Sequence, residues 1–122
     1  MALHTDLKIY KTGTRLVSLA FDVQKNMPRG YKRGIGEQIT GHCTEMLVLM
    51  AQANASRGAE RVACIRTLLE RQHVTKILLR VCHDMRPQPL ISTALWATSM
   101  ELLDGIGKQG GGWLKSAKAP AA

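Results

Sequence analysis

Apolar and small residues return at alternating spacings of four and three along most of this chain, and three short breaks interrupt the pattern. This spacing places the residues on one face of an α-helix. No stretch shows the strict alternation of apolar and polar residues that predicts a β-strand. The pattern therefore predicts an all-α fold, with helices at residues 5–26, 35–55 and 59–85 and a fourth helix from residue 91 onwards.

Three of the predicted helices carry a single apolar seam that should face a common core. The first seam consists of Ile9, Gly13, Leu16, Ala20, Val23 and Met27. The second consists of Ile35, Ile39, His42, Met46, Leu49 and Ala53. The fourth consists of Ile91, Leu95, Thr98, Leu102 and Gly105.

The breaks between the helices are short. Pro28 ends the first helix, residues 54–58 form a small polar turn, and two prolines interrupt residues 86–89. Short connections favour antiparallel neighbours, so we expect an up-down-up-down antiparallel four-helix bundle, with one domain at residues 5–115. The glycines at 110–112 predict a loosened backbone, either a linker or a close helix approach, before a flexible tail at 116–122.

The third predicted helix differs because it carries two apolar faces. Val62, Ile65, Leu68 and Leu69 share one face, whereas Val74, Ile77, Leu78, Val81 and Met85 cluster on nearly the opposite one. A helix that is apolar on two sides usually packs against more than its own bundle, which predicts self-association. A bent helix or a wide core stripe explains the pattern equally well.

The chain is strongly basic, with 17 Lys and Arg against 9 Asp and Glu and a net charge of +8. Such a field attracts nucleic acid, acidic lipid or an acidic protein surface. Tyr31 lies among three of the cations, where it could stack a base while they bind phosphates. The predicted docking set is Arg29, Lys32, Arg33, Arg57, Arg61, Lys76 and Arg80. Lys76 and Arg80 continue with His83 as a cationic stripe, predicted to lie opposite the second apolar face.

The sequence gives little support for catalysis or metal binding. The common nucleophile, phosphate-loop and zinc-protease motifs are absent, and the acids are scattered, so we expect a protein that is not an enzyme and has no cofactor. The adjacent pairs His42-Cys43 and Cys82-His83 lack the usual zinc spacing, so no metal site is predicted.

The expected location is the cytoplasm. The odd number of cysteines, three, favours reduced core residues over a disulfide framework. The first residues show no secretory pattern, and no apolar run approaches the roughly 18 residues that a membrane span needs.

Three segments carry a resemblance to a known family. Residues 27–39, MPRGYKRGIGEQI, are similar to the helix junction of the small four-helix-bundle family. This family includes proteins encoded by ribosomal-RNA intervening sequences and the accessory variability determinant (Avd) proteins of diversity-generating retroelements. Residues 79–84, LRVCHD, and residues 103–115, LDGIGKQGGGWLK, resemble the Avd branch.

The resemblance implies a non-catalytic accessory role. Avd proteins form a basic, barrel-like homopentamer of four-helix bundles that binds the element's reverse transcriptase. With template RNA or cDNA, the complex supports mutagenic reverse transcription and retrohoming. The alternative is a stand-alone structural or RNA-associated bundle of the ribosomal-RNA intervening-sequence type.

Overall fold

The computed structural model describes residues 3–119, and this part of the chain is helical without a β-strand. A single 3₁₀ turn, His4–Asp6, precedes α1, Lys8–Lys25. The second helical segment, α2, covers residues 29–55 and consists of Arg29–Tyr31, a π-helical part Lys32–Gly36 and an α-helical part Glu37–Ala55. The last two helices are α3, Gly58–Asp84, and α4, Thr93–Lys118. The all-α prediction is confirmed, with four long helices in the described residues.

The second helix begins six residues before its predicted start at residue 35. Pro28 has an extended backbone, with φ −56° and ψ 146°, and the helix starts at the next residue. Proline suits the start of a helix because the N–H it lacks would have no intrahelical partner there. Arg29, Lys32 and Arg33, which fall between the first two predicted helices, are therefore helical.

Of the two interpretations of the glycines at 110–112, the linker is wrong, because α4 continues through them to Lys118, and the close helix approach is confirmed at Gly110. Close packing explains the first of them: a Cβ at Gly110 would lie 2.8 Å from Cδ2 of Leu69. Trp113 packs against the core on the next turn. Residues 116–118 of the predicted tail thus belong to the helix, whereas residues 120–122 lie outside the described residues.

The main helix contacts join α1 to α2, α2 to α3, α3 to α4 and α4 to α1. The edge between α1 and α2 therefore lies across the bundle from the edge between α3 and α4. Close approach between α1 and α2 requires Gly13, since a Cβ there would lie 2.9 Å from side-chain carbons of Leu47 and Met50. Between α3 and α4, Gln72 Nε2 donates a hydrogen bond of 3.0 Å to the Leu103 carbonyl oxygen.

The core is aliphatic. The largest completely buried side chains are Leu16, Ile39, Met46, Met50, Ile65, Leu68, Leu79, Leu103 and Ile106. Burial of apolar surface on this scale is the main favourable contribution to folding. All six residues of the predicted first seam are buried, which confirms that α1 turns this face to the core.

Ser92 provides a test of local helix stability. Its side-chain oxygen accepts a hydrogen bond of 3.2 Å from the backbone N–H of Leu95, which satisfies one donor at the start of α4. We expect Ser92→Ala to lower the free energy of unfolding by about 1 kcal/mol in urea denaturation. Ser18→Ala, at an exposed position inside α1, is the control and should cause no loss. Equal losses in the two variants would contradict a capping role for Ser92.

Candidate functional site

Arg29, Lys32 and Arg33 form a compact group at the start of α2, which we call the α2 cationic cluster. Both arginines are exposed and the lysine is half-buried. None of the three makes an ion pair with a carboxylate in residues 3–119. The neighbouring Tyr31 is 41% exposed. The cluster is therefore available to bind an anionic partner, with an aromatic ring beside it.

The edge between α1 and α2 holds this cluster in place. Gln24 Nε2 donates a hydrogen bond of 3.0 Å to the carbonyl oxygen of Lys32, inside the π-helical part. Gly36 permits the close approach, since a Cβ there would lie 2.9 Å from Cγ of Gln24 and 3.2 Å from Sδ of Met27. π-Helical turns within longer helices are frequent at functional sites. The three cations are thus positioned by packing between two helices.

Arg57 and Arg61, both in the predicted docking set, have different surroundings in the structure. Arg57 is exposed at the N-cap position of α3. Arg61 donates hydrogen bonds to the carbonyl oxygens of Ala53, 2.9 Å, and Asn54, 3.1 Å. These carbonyls lie in the last turn of α2, where the Ala53 oxygen also accepts a hydrogen bond of 3.2 Å from the Ser56 N–H. Arg61 therefore stabilises the connection between α2 and α3.

Lys76 and Arg80 are both ion-paired. Lys76 Nζ lies 2.7 Å from Asp104 Oδ1 on α4, and Arg80 Nε lies 2.9 Å from Asp84 Oδ2. Hydrogen bonds from Arg80 and then His83 hold the pKa of the Asp84 carboxyl below its ordinary value. Exposed pairs of this kind add little to stability, but they neutralise the surface around them.

Lys76 and Arg80 line the same groove as Ile77 and Val81, two residues of the second apolar face. At about 100° per residue the two cations lie nearly opposite Leu78, as predicted, but Arg80 lies beside Ile77.

A groove of about 550 Å³ lies between α3 and α4, and we call it the Trp96 groove. Its lining residues are Lys76, Ile77, Arg80, Val81, Asp84, Met85, Trp96 and Met100. Ile77 is 50% exposed and Val81 is 46% exposed, which leaves an apolar wall in contact with solvent.

Trp96 is held by two neighbours from α3. The His83 ring stacks on it with centroids 4.2 Å apart, and Cζ of Arg80 lies 5.9 Å from the ring centroid. Its Nε1 is buried and has no hydrogen-bond acceptor in residues 3–119. Trp96 is not among the predicted functional residues. Its spacing of four from Met100, outside the predicted seam, is the signal that could have identified it.

His42 and Arg71 form a polar contact between α2 and α3, with 3.3 Å between Nδ1 and Nη1. Burial and then the positive charge of Arg71 lower the pKa of His42, against an opposing effect of Glu45. The neutral ring can accept a hydrogen bond from the guanidinium, whereas the protonated ring cannot. The contact therefore depends on a neutral histidine.

This contact predicts that stability decreases as the pH is lowered through a defined window. Because the pKa of His42 is lower in the folded chain, the unfolded chain binds the proton more readily, so stability rises with pH. The contribution is complete above the ordinary pKa of about 6.5 and is lost as pH falls from there towards the folded pKa. Urea denaturation between about pH 5 and 8 measures it. His42→Gln keeps an acceptor without the titration, so an equally steep pH dependence in this variant would rule out His42 as the cause.

The cysteines lie in or near the core. Cys43 and Cys82 are buried, Cys64 is partly buried, and none forms a disulfide within the described residues. Burial raises the pKa of Cys43 to about 12 and that of Cys82 to about 11, so both thiols are neutral at pH 7. Residues 3–119 bring together no group of three or more His, Cys, Asp or Glu that could hold a metal ion. No helix in that range combines the length and apolar character that crossing a membrane requires.

Comparisons with protein-family models, curated proteins and solved structures gave no significant match to this chain. A functional proposal therefore depends on the surfaces described above and on the sequence resemblance.

Proposed function

We propose that the chain is a non-catalytic accessory protein of a diversity-generating retroelement. In this role it binds the element's reverse transcriptase and the template RNA or cDNA, and it supports mutagenic reverse transcription and retrohoming. The polymerase part of the proposal rests on the resemblance of residues 27–39, 79–84 and 103–115 to Avd proteins. The nucleic-acid part has support from the residues themselves.

The observation that carries RNA binding is the α2 cationic cluster. It presents three cations without carboxylate partners among the described residues, in a chain with a net charge of +8. Lys and Arg that contact phosphates release counterions, which gives affinity without sequence specificity. The exposed ring of Tyr31 offers a face on which an unpaired base can stack. Single-stranded RNA is the polyanion that fits both features.

The proposal includes an up-down-up-down antiparallel bundle. Two contacts support opposite directions for α1 and α2. Gly13 in the first half of α1 contacts Met50 late in α2, whereas Gln24 at the end of α1 contacts Gly36 early in α2. By analogy with Avd proteins, the protein is a cytoplasmic homo-oligomer, a pentamer in that family.

The first test is RNA binding by the wild-type protein across a salt series. The fluorescence anisotropy of a labelled single strand of roughly 20 nucleotides measures the binding. Three phosphate contacts predict that log K falls with log salt with a slope of about −2 between about 50 and 200 mM. Absence of binding, or binding that does not respond to salt, would refute the RNA part of the proposal.

Co-purification with the reverse transcriptase of a diversity-generating retroelement tests the second part. We expect a complex that survives gel filtration and synthesises more cDNA than the polymerase alone. RNA binding without any polymerase complex would favour the ribosomal-RNA intervening-sequence type.

A further inference from the structure

The outer face of α3 forms a ridge beside the Trp96 groove. Val74, Ile77 and Val81 follow one another at spacings of three and four, which is the seam of a helix that pairs with another helix. Ile77 and Val81 are about half exposed and also form one wall of the groove. A ridge and a groove thus lie side by side on the same surface.

The charge around this surface is balanced, unlike that of the whole chain. In residues 3–119, the ion pairs that join Lys or Arg to a carboxylate are Lys76–Asp104 and Arg80–Asp84. Both border the groove. A nucleic acid or an acidic protein therefore gains little Coulomb energy here, while a second copy of this basic chain meets little repulsion.

The order of charges along α3 makes the surface complementary to itself. Lys76 and Arg80 come first and Asp84 follows, over a length of about 12 Å at 1.5 Å per residue. When two such helices lie antiparallel, the cations of each face the carboxylate of the other. The apolar pair Ile77 and Val81 then lies at the centre of the contact.

The groove beside the ridge also suits an apolar neighbour. Met85 and Met100 line it, and methionine side chains adapt readily to an incoming apolar surface.

We propose that two copies of the chain associate through this surface, α3 antiparallel to α3 about a two-fold axis, with the Ile77–Val81 ridges of the two copies packed against each other and the two Trp96 grooves facing each other beside them. This goes beyond the proposed function, because it depends on neither RNA nor polymerase. It also differs from a ring contact, since an isologous contact alone cannot close a five-membered ring. The two-fold contact therefore gives a dimer, or it joins two rings whose subunits are held together by a different surface.

Molar mass in solution is the first measurement, by sedimentation equilibrium over a range of concentrations. We expect the wild type to reach an even multiple of its 13.4 kDa monomer, and the I77E/V81E variant to have half that mass. V48E is the matched control, because Val48 is also 50% exposed but lies on α2. It should assemble like the wild type. Circular dichroism checks that each variant keeps its helices.

Three results would overturn the proposal: a wild type with one or an odd number of copies, an I77E/V81E variant of unchanged mass, or the same loss in V48E. RNA binding by I77E/V81E separates the two proposals, because the α2 cationic cluster lies on the opposite edge of the bundle. Normal RNA affinity with halved mass supports both. If I77E/V81E has the mass of the wild type, only the two-fold contact is overturned. If the wild-type protein does not bind RNA, only the proposed function is overturned.

Cysteine cross-linking tests the orientation of the contact. I77C and V81C proteins, each in a C64S background, are mixed and oxidised, and the linked peptides are identified by mass spectrometry. An antiparallel contact predicts a disulfide between positions 77 and 81 of different copies, formed faster than one between two V48C chains. Disulfides mainly between two copies of position 77, or no preference over V48C, would overturn the antiparallel arrangement.

Discussion

Charge reversal of the α2 cationic cluster, R29E/K32E/R33E, is expected to lower the affinity for single-stranded RNA by about 100-fold at about 0.1 M salt. Each phosphate contact on a single strand contributes about 0.7 to the salt slope, so three contacts account for about 2. At about 0.1 M salt, a slope of about 2 corresponds to a contribution of about 100-fold to the binding constant, and the charge reversal should remove it. Fluorescence anisotropy across the salt series measures both quantities.

The control variant reverses the same number of positive charges on a different helix. Lys108, Lys115 and Lys118 are exposed on α4, so K108E/K115E/K118E alters the net charge by the same amount. We expect a much smaller loss of affinity and a nearly unchanged salt slope. Equal losses would mean that RNA responds to total charge, and the assignment to α2 would be wrong. Reversal of Lys76 and Arg80 should have an intermediate effect, because Asp104 and Asp84 already neutralise them.

Leu103→Ala is expected to lower the free energy of unfolding by about 3 kcal/mol, within the range of roughly 2–5 kcal/mol usual for a buried leucine. Leu103 is 0% exposed on the core face of α4. The loss combines the transfer free energy of the missing carbons with the cavity they leave. It is a large fraction of the roughly 5–15 kcal/mol by which a domain of this size is usually stable. Urea denaturation followed by circular dichroism measures it.

Leu3→Ala makes the same chemical change outside the core. Leu3 is 67% exposed, so its removal should change the free energy of unfolding by less than about 0.5 kcal/mol. A loss below about 1 kcal/mol at Leu103 would contradict a tightly packed core at this position. A loss at Leu3 comparable with that at Leu103 would contradict its exposure.

The helices and most of the core could be predicted because burial imposes a period on the sequence. All six residues of the first seam are buried, as are Ile39, Met46, Leu49 and Ala53 of the second. The predicted fourth seam is out of phase: it includes Thr98 and Gly105, whereas the structure buries Ser99 and Ile106, in each case the next residue. Successive helical residues point about 100° apart, so a seam placed one residue early turns away from the core.

The candidate sites could be predicted only as a set of cations. Lys76 meets Asp104 across 28 positions of sequence, and Arg61 meets backbone carbonyls of the preceding helix. Such partners depend on how far each helix is rotated in the bundle, which the period of one helix does not determine. The same rotation places Trp96 in a groove. For that reason the sequence identified the basic residues but not which of them already have partners.

The three consecutive glycines of α4 have a consequence for local unfolding. Each glycine inside a helix is about 1 kcal/mol less favourable than alanine, so residues 110–112 weaken their turn by about 3 kcal/mol. Only Gly110 is compensated by close packing, whereas a Cβ added at Gly111 or Gly112 would meet no atom within 4 Å. Backbone amides beyond them are therefore expected to exchange with solvent deuterium through local opening, well before the core exchanges. Once Trp113 leaves its contact with the core, the protein can extend a short arm with Lys115 and Lys118 while the rest of the bundle stays folded.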